Sequence, residues 1–367
     1  MKRSSMIVVV MISLSACTNS AGVSTQGPQT PPPSMVRPSS AATLTPSTTA
    51  TSAPVASATV PTATSTPASS PAPSSVASRS ISELGDRLLA TVDVGGEPEW
   101  IGAGPDSIWV TNRGLNGVQQ VDPSTNEVTG IVTFNEPCNG VIDEFGSVWT
   151  ASCQDQKLVR IDPVKHKVSA SIPTTVASDG EGQLAAAFGS IWISSGDGHL
   201  KRLDPATNKF IADIEVPALA DALAAGAASI WLTDPVNSAL VEIDPQTNTV
   251  KSTTPVGPHP QFLATDADSV WVLNQDDGTV SRVNQADQSV VSIDAQSRGR
   301  DVGCIGAGLD SAWVTVPGTP LTRIDAATNT VTEQWTGDGG DCLTPGFGSV
   351  WLVNNGLGSV YRIAPPA

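Results

Sequence analysis

The chain has 367 residues, with 35 acidic against 19 basic side chains and a formal charge of −16. Every Asp and Glu lies after residue 80, together with 15 of the Lys and Arg, so that part of the chain carries a net −20. A surface of that sign repels phosphate backbones and anionic headgroups, which argues against nucleic acid as a partner and requires any membrane attachment to come from elsewhere.

In chain order, Lys2 and Arg3 form a positive start and Met6 to Ser13 an apolar run too short to span a bilayer, followed at once by Leu14-Ser15-Ala16-Cys17. This is the anatomy of a secretion signal. Leu-Ser-Ala-Cys resembles the lipobox of bacterial lipoproteins. The resemblance implies that residues 1–16 are a signal peptide, that Cys17 is acylated, and that the protein is lipid-anchored and faces the extracytoplasmic side. From 17 to 80 the chain is almost entirely Ser, Thr, Pro and Ala with some Val. Such a segment has too little apolar surface to repay ordering and is read as a disordered stalk.

From residue 81 onward one phrase recurs: Ser, a small or apolar residue, then Trp. It ends at Trp109, Trp149, Trp192, Trp231, Trp271, Trp313 and Trp351, at spacings of 40, 43, 39, 40, 42 and 38. Each unit reads as four short strands, a to d. Strand a, such as Trp100-Ile101-Gly102-Ala103, turns through Gly104-Pro105-Asp106-Ser107 into the Trp-bearing strand b. Strand c alternates with period two, as in Leu200-Lys201-Arg202-Leu203. A turn of the type Asp204-Pro205-Ala206-Thr207-Asn208 leads into strand d. Four strands per unit of about forty residues predict a β-propeller, here all-β with seven four-stranded blades over 81–367. The seventh unit ends after its strand c, and residues 88–94 read as a strand d without a unit of its own. They are expected to close the last blade. The recurring Trp is read as a core position between blades. Trp100 and Trp335 fall outside the column and are candidates for ligand-facing rings, with packing as the alternative.

Four cysteines remain beyond Cys17, an even number in an exported domain. Cys138 and Cys153 flank an a–b hairpin and are expected to face each other across it. Cys304 and Cys342 share one repeat position, nine before the Trp, in adjacent units, and pair by elimination.

Propeller ligands usually sit where the inner strands begin. Ten residues before each Trp stand Glu99, Asn139, Gly182, Asp221, Gln261, Gly303 and Asp341, with Glu97, Glu181, His259 and Asp301 nearby. Glu99, Asn139, Asp221, Gln261, Asp301 and Asp341 are therefore the candidate ligand-binding residues. Glu99, Asp221 and Asp341 are the candidate ligands for a hard cation, Ca²⁺ or Mg²⁺, which prefers oxygen donors; a solvated loop rim is the alternative. A second polar column, three after the Trp, is expected to cap the loop after strand b.

Trp109-Val110-Thr111-Asn112 and Ile243-Asp244-Pro245-Gln246-Thr247-Asn248 resemble the repeat of the YVTN-repeat and streptogramin-lyase-like propellers, over about residues 84–364. That resemblance implies the fold and, for the lyases, a His base with a Mg²⁺ held by acidic residues that opens a lactone ring by elimination. His259, in Pro258-His259-Pro260, occupies the place of a Pro-His-Gly phrase, but Pro260 replaces the Gly, and His166 and His199 lie elsewhere in the unit. The leading expectation is therefore a monomeric, non-enzymatic binding module for a protein, glycan or small molecule. The alternative is a metal-assisted lyase or hydrolase with His259 as base.

Overall fold

The computed structural model describes residues 80–177, 182, 184–216, 222–296, 303–316 and 319–366; the signal peptide, Cys17 and all but the last residue of the predicted stalk lie outside them. Seven sheets, each built on four antiparallel strands as the repeat predicts, make up the described residues; one of them has a fifth strand. The first blade comprises Pro98–Ala103, Ile108–Asn112, Gly117–Asp122 and Glu127–Thr133. Blades 2 to 6 span 137–173, 184–215, 223–255, 260–294 and 304–336. Blade 7 takes Leu343–Gly346, Ser349–Asn354 and Ser359–Ile363 from the end of the chain, and its strand d is Leu88–Asp93, pairing antiparallel with Ser359–Ile363.

Strand a of every blade touches strand a of both neighbours, including the first and the last, so the a strands ring the central axis. Burial follows that order. Strand b of blade 1 is buried at all five positions, whereas strand d buries only Val132. Antiparallel order places the d–a and b–c loops on one face, called the mouth here, and the a–b and c–d turns on the opposite face.

All seven column Trp are buried, none more than 1% exposed. What holds them was not legible in the Trp phrase. In blades 2, 3, 5, 6 and 7 a strand-c arginine (Arg160, Arg202, Arg282, Arg323, Arg362) lies over the Trp ring at 4.6–6.0 Å from its centroid. A guanidinium over an indole face is attracted by the ring's negative quadrupole. Each of these arginines also donates from Nε to the Ser that opens strand b. Four of the five then reach the next blade. Arg202 Nη1, for example, donates to the Pro245 carbonyl at 2.6 Å and to Asn248 Oδ1 at 3.0 Å. Arg362 does the same to Pro123 and Asn126, tying blade 7 to blade 1. Arg323 turns to Glu333 and Asp325 instead, because the closing blade takes its c and d strands from opposite chain ends and has no c–d turn to offer.

The c–d turn therefore has two functions. Asp204 and Asp244 accept amides two residues ahead, and Asn208 and Asn248 adopt φ of 55° and 56°, the left-handed region that Asn tolerates. The same Asn supplies the acceptor for the preceding blade's arginine. Where the arginine is missing, its partner changes too. Gln120 Oε1 meets His166 Nε2 at 2.6 Å, and Glu242 Oε2 accepts from Gln288 Nε2 at 2.8 Å.

Ser80–Glu83 adds a fifth, parallel strand outside blade 6, and a 3-10 turn, Leu84–Arg87, leads on to the closing strand. Neither element was anticipated from the sequence. Leu84 helps to bury Trp335, which stacks on Trp313 at 6.3 Å and is 1% exposed. Trp335 is thus a packing residue and not a ligand-facing ring.

Both predicted disulfides are present, Cys138–Cys153 and Cys304–Cys342. The first does not join directly opposed residues. Asn139 and Gly140 take positive φ and bulge the strand, so Cys138 pairs in register with Ala151 and bridges diagonally to Cys153.

Candidate functional site

The inner strands begin at the mouth, where the ring of seven a strands surrounds an axial channel. Trp100 closes it. Its ring lies 6.2 Å from that of Phe262 in blade 5, tilted by 47°. A Cβ on Gly182 of blade 3 would meet the indole at 3.6 Å. One side chain from blade 1 thus reaches blades 3 and 5, and the mouth is a cup with an aromatic floor. Trp100 is only 9% exposed, so its ring is first of all a plug.

Three fully buried threonines, each two residues after a column Trp, anchor the inner strands beneath the mouth. Thr111 Oγ1 accepts from Trp100 N, Thr233 Oγ1 donates to the Gln261 carbonyl of the next blade, and Thr315 Oγ1 donates to that of Asp341. Their recurrence was available in the sequence, but the bonds of Thr233 and Thr315 to the next blade were not; that of Thr111 stays within blade 1.

Glu99 and Asp341 stand close enough in blades 1 and 7 to repel each other. Glu99 Oε1 pairs with Arg113 Nη2 at 3.0 Å, while its Oε2 is buried without a partner among the described residues. Burial raises the Glu99 pKa above its ordinary 4.5; Arg113 opposes the rise, and Asp341, Glu136 and Glu97 add to it. Burial likewise raises that of Asp341 above 3.8, against the hydrogen bond from Asn355 N to its Oδ2 at 2.7 Å. Asn355 Nδ2 also donates to the Pro98 carbonyl, which joins the two blades.

Gln261 is 5% exposed and its Oε1 has no partner among the described residues. Asn139 is fully buried at φ 62° and donates to the Ala177 carbonyl at 3.4 Å, beside the Cys138–Cys153 bridge. His259 sits at φ 52° just ahead of strand a, its carbonyl accepting from Gln275 N and its Nε2 buried without a partner among the described residues. His166 is on the opposite face, bonded to Gln120, and His199 pairs with Asp213 of the outer strand at 2.8 Å. Asp221, Asp301 and Glu181 lie outside the described residues. Among the described residues no group of three or more His, Cys, Asp or Glu is assembled to hold a metal ion, so no step through Ca²⁺ or Mg²⁺ is derived.

The polar column after strand b caps its loop at Asn112, Ser195, Asp234 and Asn354, whereas Ser152 bonds the Asn135 carbonyl and Asn274 turns its Nδ2 to Thr279 and Ser281. Asn112 Oδ1 accepts from Leu115 N and from Glu97 N, and Asn354 Oδ1 from Leu357 N.

A pH dependence follows from the two raised carboxyls. The folded state holds their protons more tightly than the unfolded chain, so their contribution to stability is complete below 3.8 and 4.5 and is lost as pH rises through the raised values. The double variant Glu99→Gln/Asp341→Asn is expected to gain stability over the native chain as pH climbs through that window. Urea midpoints measured across it would refute the assignment if the two proteins changed in parallel.

The chain matches no protein-family model and no curated protein. Its fold is similar to that of a streptogramin B lyase (TM-score 0.62, 16% identity, covering 75% of this chain and 95% of that one). Hydrazine synthase of Kuenenia stuttgartiensis gives 0.62 at 13% identity, covering 76% and 97%. The WD40 domain of Neurospora crassa Pan2 gives 0.59 at 10%, covering 74% and 90%. At these identities the likeness establishes the propeller and not an activity.

Proposed function

We propose that this propeller is an extracytoplasmic, non-enzymatic binding module, tethered through Cys17 and a Ser/Thr/Pro/Ala stalk, whose mouth takes a ligand rich in hydrogen-bond donors. The observation that carries the reading is a pair of buried acceptors without donors among the described residues, Glu99 Oε2 and Gln261 Oε1, beside the Trp100–Phe262 floor. Leaving a buried acceptor unmade costs stability, and a hydroxyl or ammonium group of a ligand would recover it. A sugar ring, which brings hydroxyls and an apolar face, suits a cup of this composition. The two disulfides fit an oxidising compartment. Among the described residues no helix is long and apolar enough to cross a membrane.

The test is calorimetric titration of the full chain with neutral oligosaccharides and simple primary amines. Binding by either class, weakened about tenfold by Gln261→Met, is the expected result. Binding that ignores both Gln261→Met and Glu99→Gln removes the mouth from consideration. A second reading, lactone opening by elimination with His259 as base, is favoured by the buried His259 Nε2, unpaired among the described residues. Turnover of a streptogramin B lactone that disappears in His259→Ala would replace the binding reading by this one.

A further inference from the structure

Blade 4 breaks the pattern of arginine over tryptophan, on the face opposite the mouth. At the strand-c position that is arginine in five blades it carries Glu242, which is 1% exposed. The carboxylate keeps the inter-blade link with reversed polarity, accepting from Ser229 and Lys251 on Oε1 and from Ser252 and Gln288 on Oε2. Being shorter than arginine, it leaves space behind. A cavity of about 280 Å³ opens between blades 4 and 5, walled by Trp231, Glu242, Lys251, Asp268 and Gln285. Trp231 is also exceptional. The other six column indoles donate to a carbonyl or a carboxylate, as Trp192 does to Ala187 and Trp271 to Asp266, while Trp231 Nε1 is buried with no acceptor among the described residues. That marks an altered environment; a guanidinium, a donor only, does not itself satisfy this N–H. Among the described residues no guanidinium stands over its ring.

We infer that this cavity is a slot for a guanidinium group supplied from outside the chain, as the arginine side chain of a peptide or partner protein. The five intact blades show that such a site accepts a guanidinium 4.6–6.0 Å from the indole centroid. Blade 4 keeps the indole and substitutes a carboxylate for the internal cation. Glu242 and Asp268 outnumber Lys251, and the remainder of the protein is strongly acidic, so the field draws a cation in. Lys251, about half exposed, moves to solvent as the guanidinium takes its place at Glu242 Oε1. A planar fork of donors reaches a carboxylate and an adjacent turn while lying flat over the indole, a geometry that a compact ammonium does not match. The occupant is therefore arginine and not lysine.

The experiment uses N-acetyl-arginine N-methylamide, with its uncharged citrulline isostere and its lysine counterpart, added to the ¹⁵N-labelled full chain. The indole N–H resonances report each Trp separately, and Trp231→Phe identifies the one at the slot. The expected result is a saturable shift of the Trp231 resonance by the arginine probe, about tenfold tighter than by either counterpart. Glu242→Arg, which fills the slot from within, is expected to abolish that shift. Glu242→Gln, which keeps the shape and removes the charge, should weaken it about tenfold, and it decides the matter if Glu242→Arg does not fold. No shift of Trp231, an equal response to citrulline, or undiminished binding by the Glu242 variants overturns the proposal. A shift confined to Trp100 would place the probe in the acidic mouth and also overturns it.

Discussion

Replacing Trp192 with Ala is expected to cost the propeller roughly 3–5 kcal/mol of unfolding free energy, the range for deleting a buried aromatic side chain. Three losses combine. The indole is fully buried among Leu200, Ile214 and Leu223, so its removal leaves a cavity. The Ala187 carbonyl loses the indole N–H donated at 3.1 Å. Arg202, 4.7 Å above the ring, loses the surface that orients it toward Pro245 and Asn248 of the next blade. The substitution should therefore loosen blade 3 against blade 4 as well as within itself. Urea denaturation checks this: the midpoint falls, and Arg202→Ala alone, which keeps the indole, costs less. A deficit for Trp192→Ala under about 1 kcal/mol would show that the column is not the ring's principal core.

Removing the Cys304–Cys342 bridge as the double serine variant should cost about 4 kcal/mol, by the chain-entropy cost of leaving a loop of 38 residues open. The corresponding figure for Cys138–Cys153, which closes 15 residues, is about 3 kcal/mol. The larger bridge joins blades 6 and 7, next to the place where Leu88–Asp93 closes the ring without a covalent link. Its loss is expected to lower the urea midpoint and to speed unfolding. If the native protein and the double serine variant unfold at the same midpoint without reductant, this bridge contributes nothing to closure.

Much of the candidate site was legible in the repeat register. Counting back ten residues from each Trp picks out Glu99, Asn139, Gln261 and Asp341 at the beginning of the inner strands. Counting forward three finds Asn112 and Asn354, which cap their loops through short-range bonds. Other parts were hidden. That Trp100 crosses the axis to Phe262 depends on five blades being bent into a ring, which no local spacing expresses. The strand-c arginine was visible in the chain, yet its partners lie some 45 residues away in the next blade. Once those partners are known, the exceptions become readable as matched changes: Gln120 with His166, and Glu242 with Gln288.

The sequence by itself determined the blade count, the four-strand unit, the closing strand and both cysteine pairs. Each of these rests on periodicity or on position within one repeat, which local backbone preferences and hydrophobic alternation dictate. Only the tertiary structure decided that the channel is plugged, that Glu99 and Gln261 keep buried acceptors without donors among the described residues, and that blade 4 lacks the cation its neighbours carry. Those features depend on which side chains meet after closure, and burial sets their energies: the same carboxyl or indole N–H exposed on a separate blade would be satisfied by water.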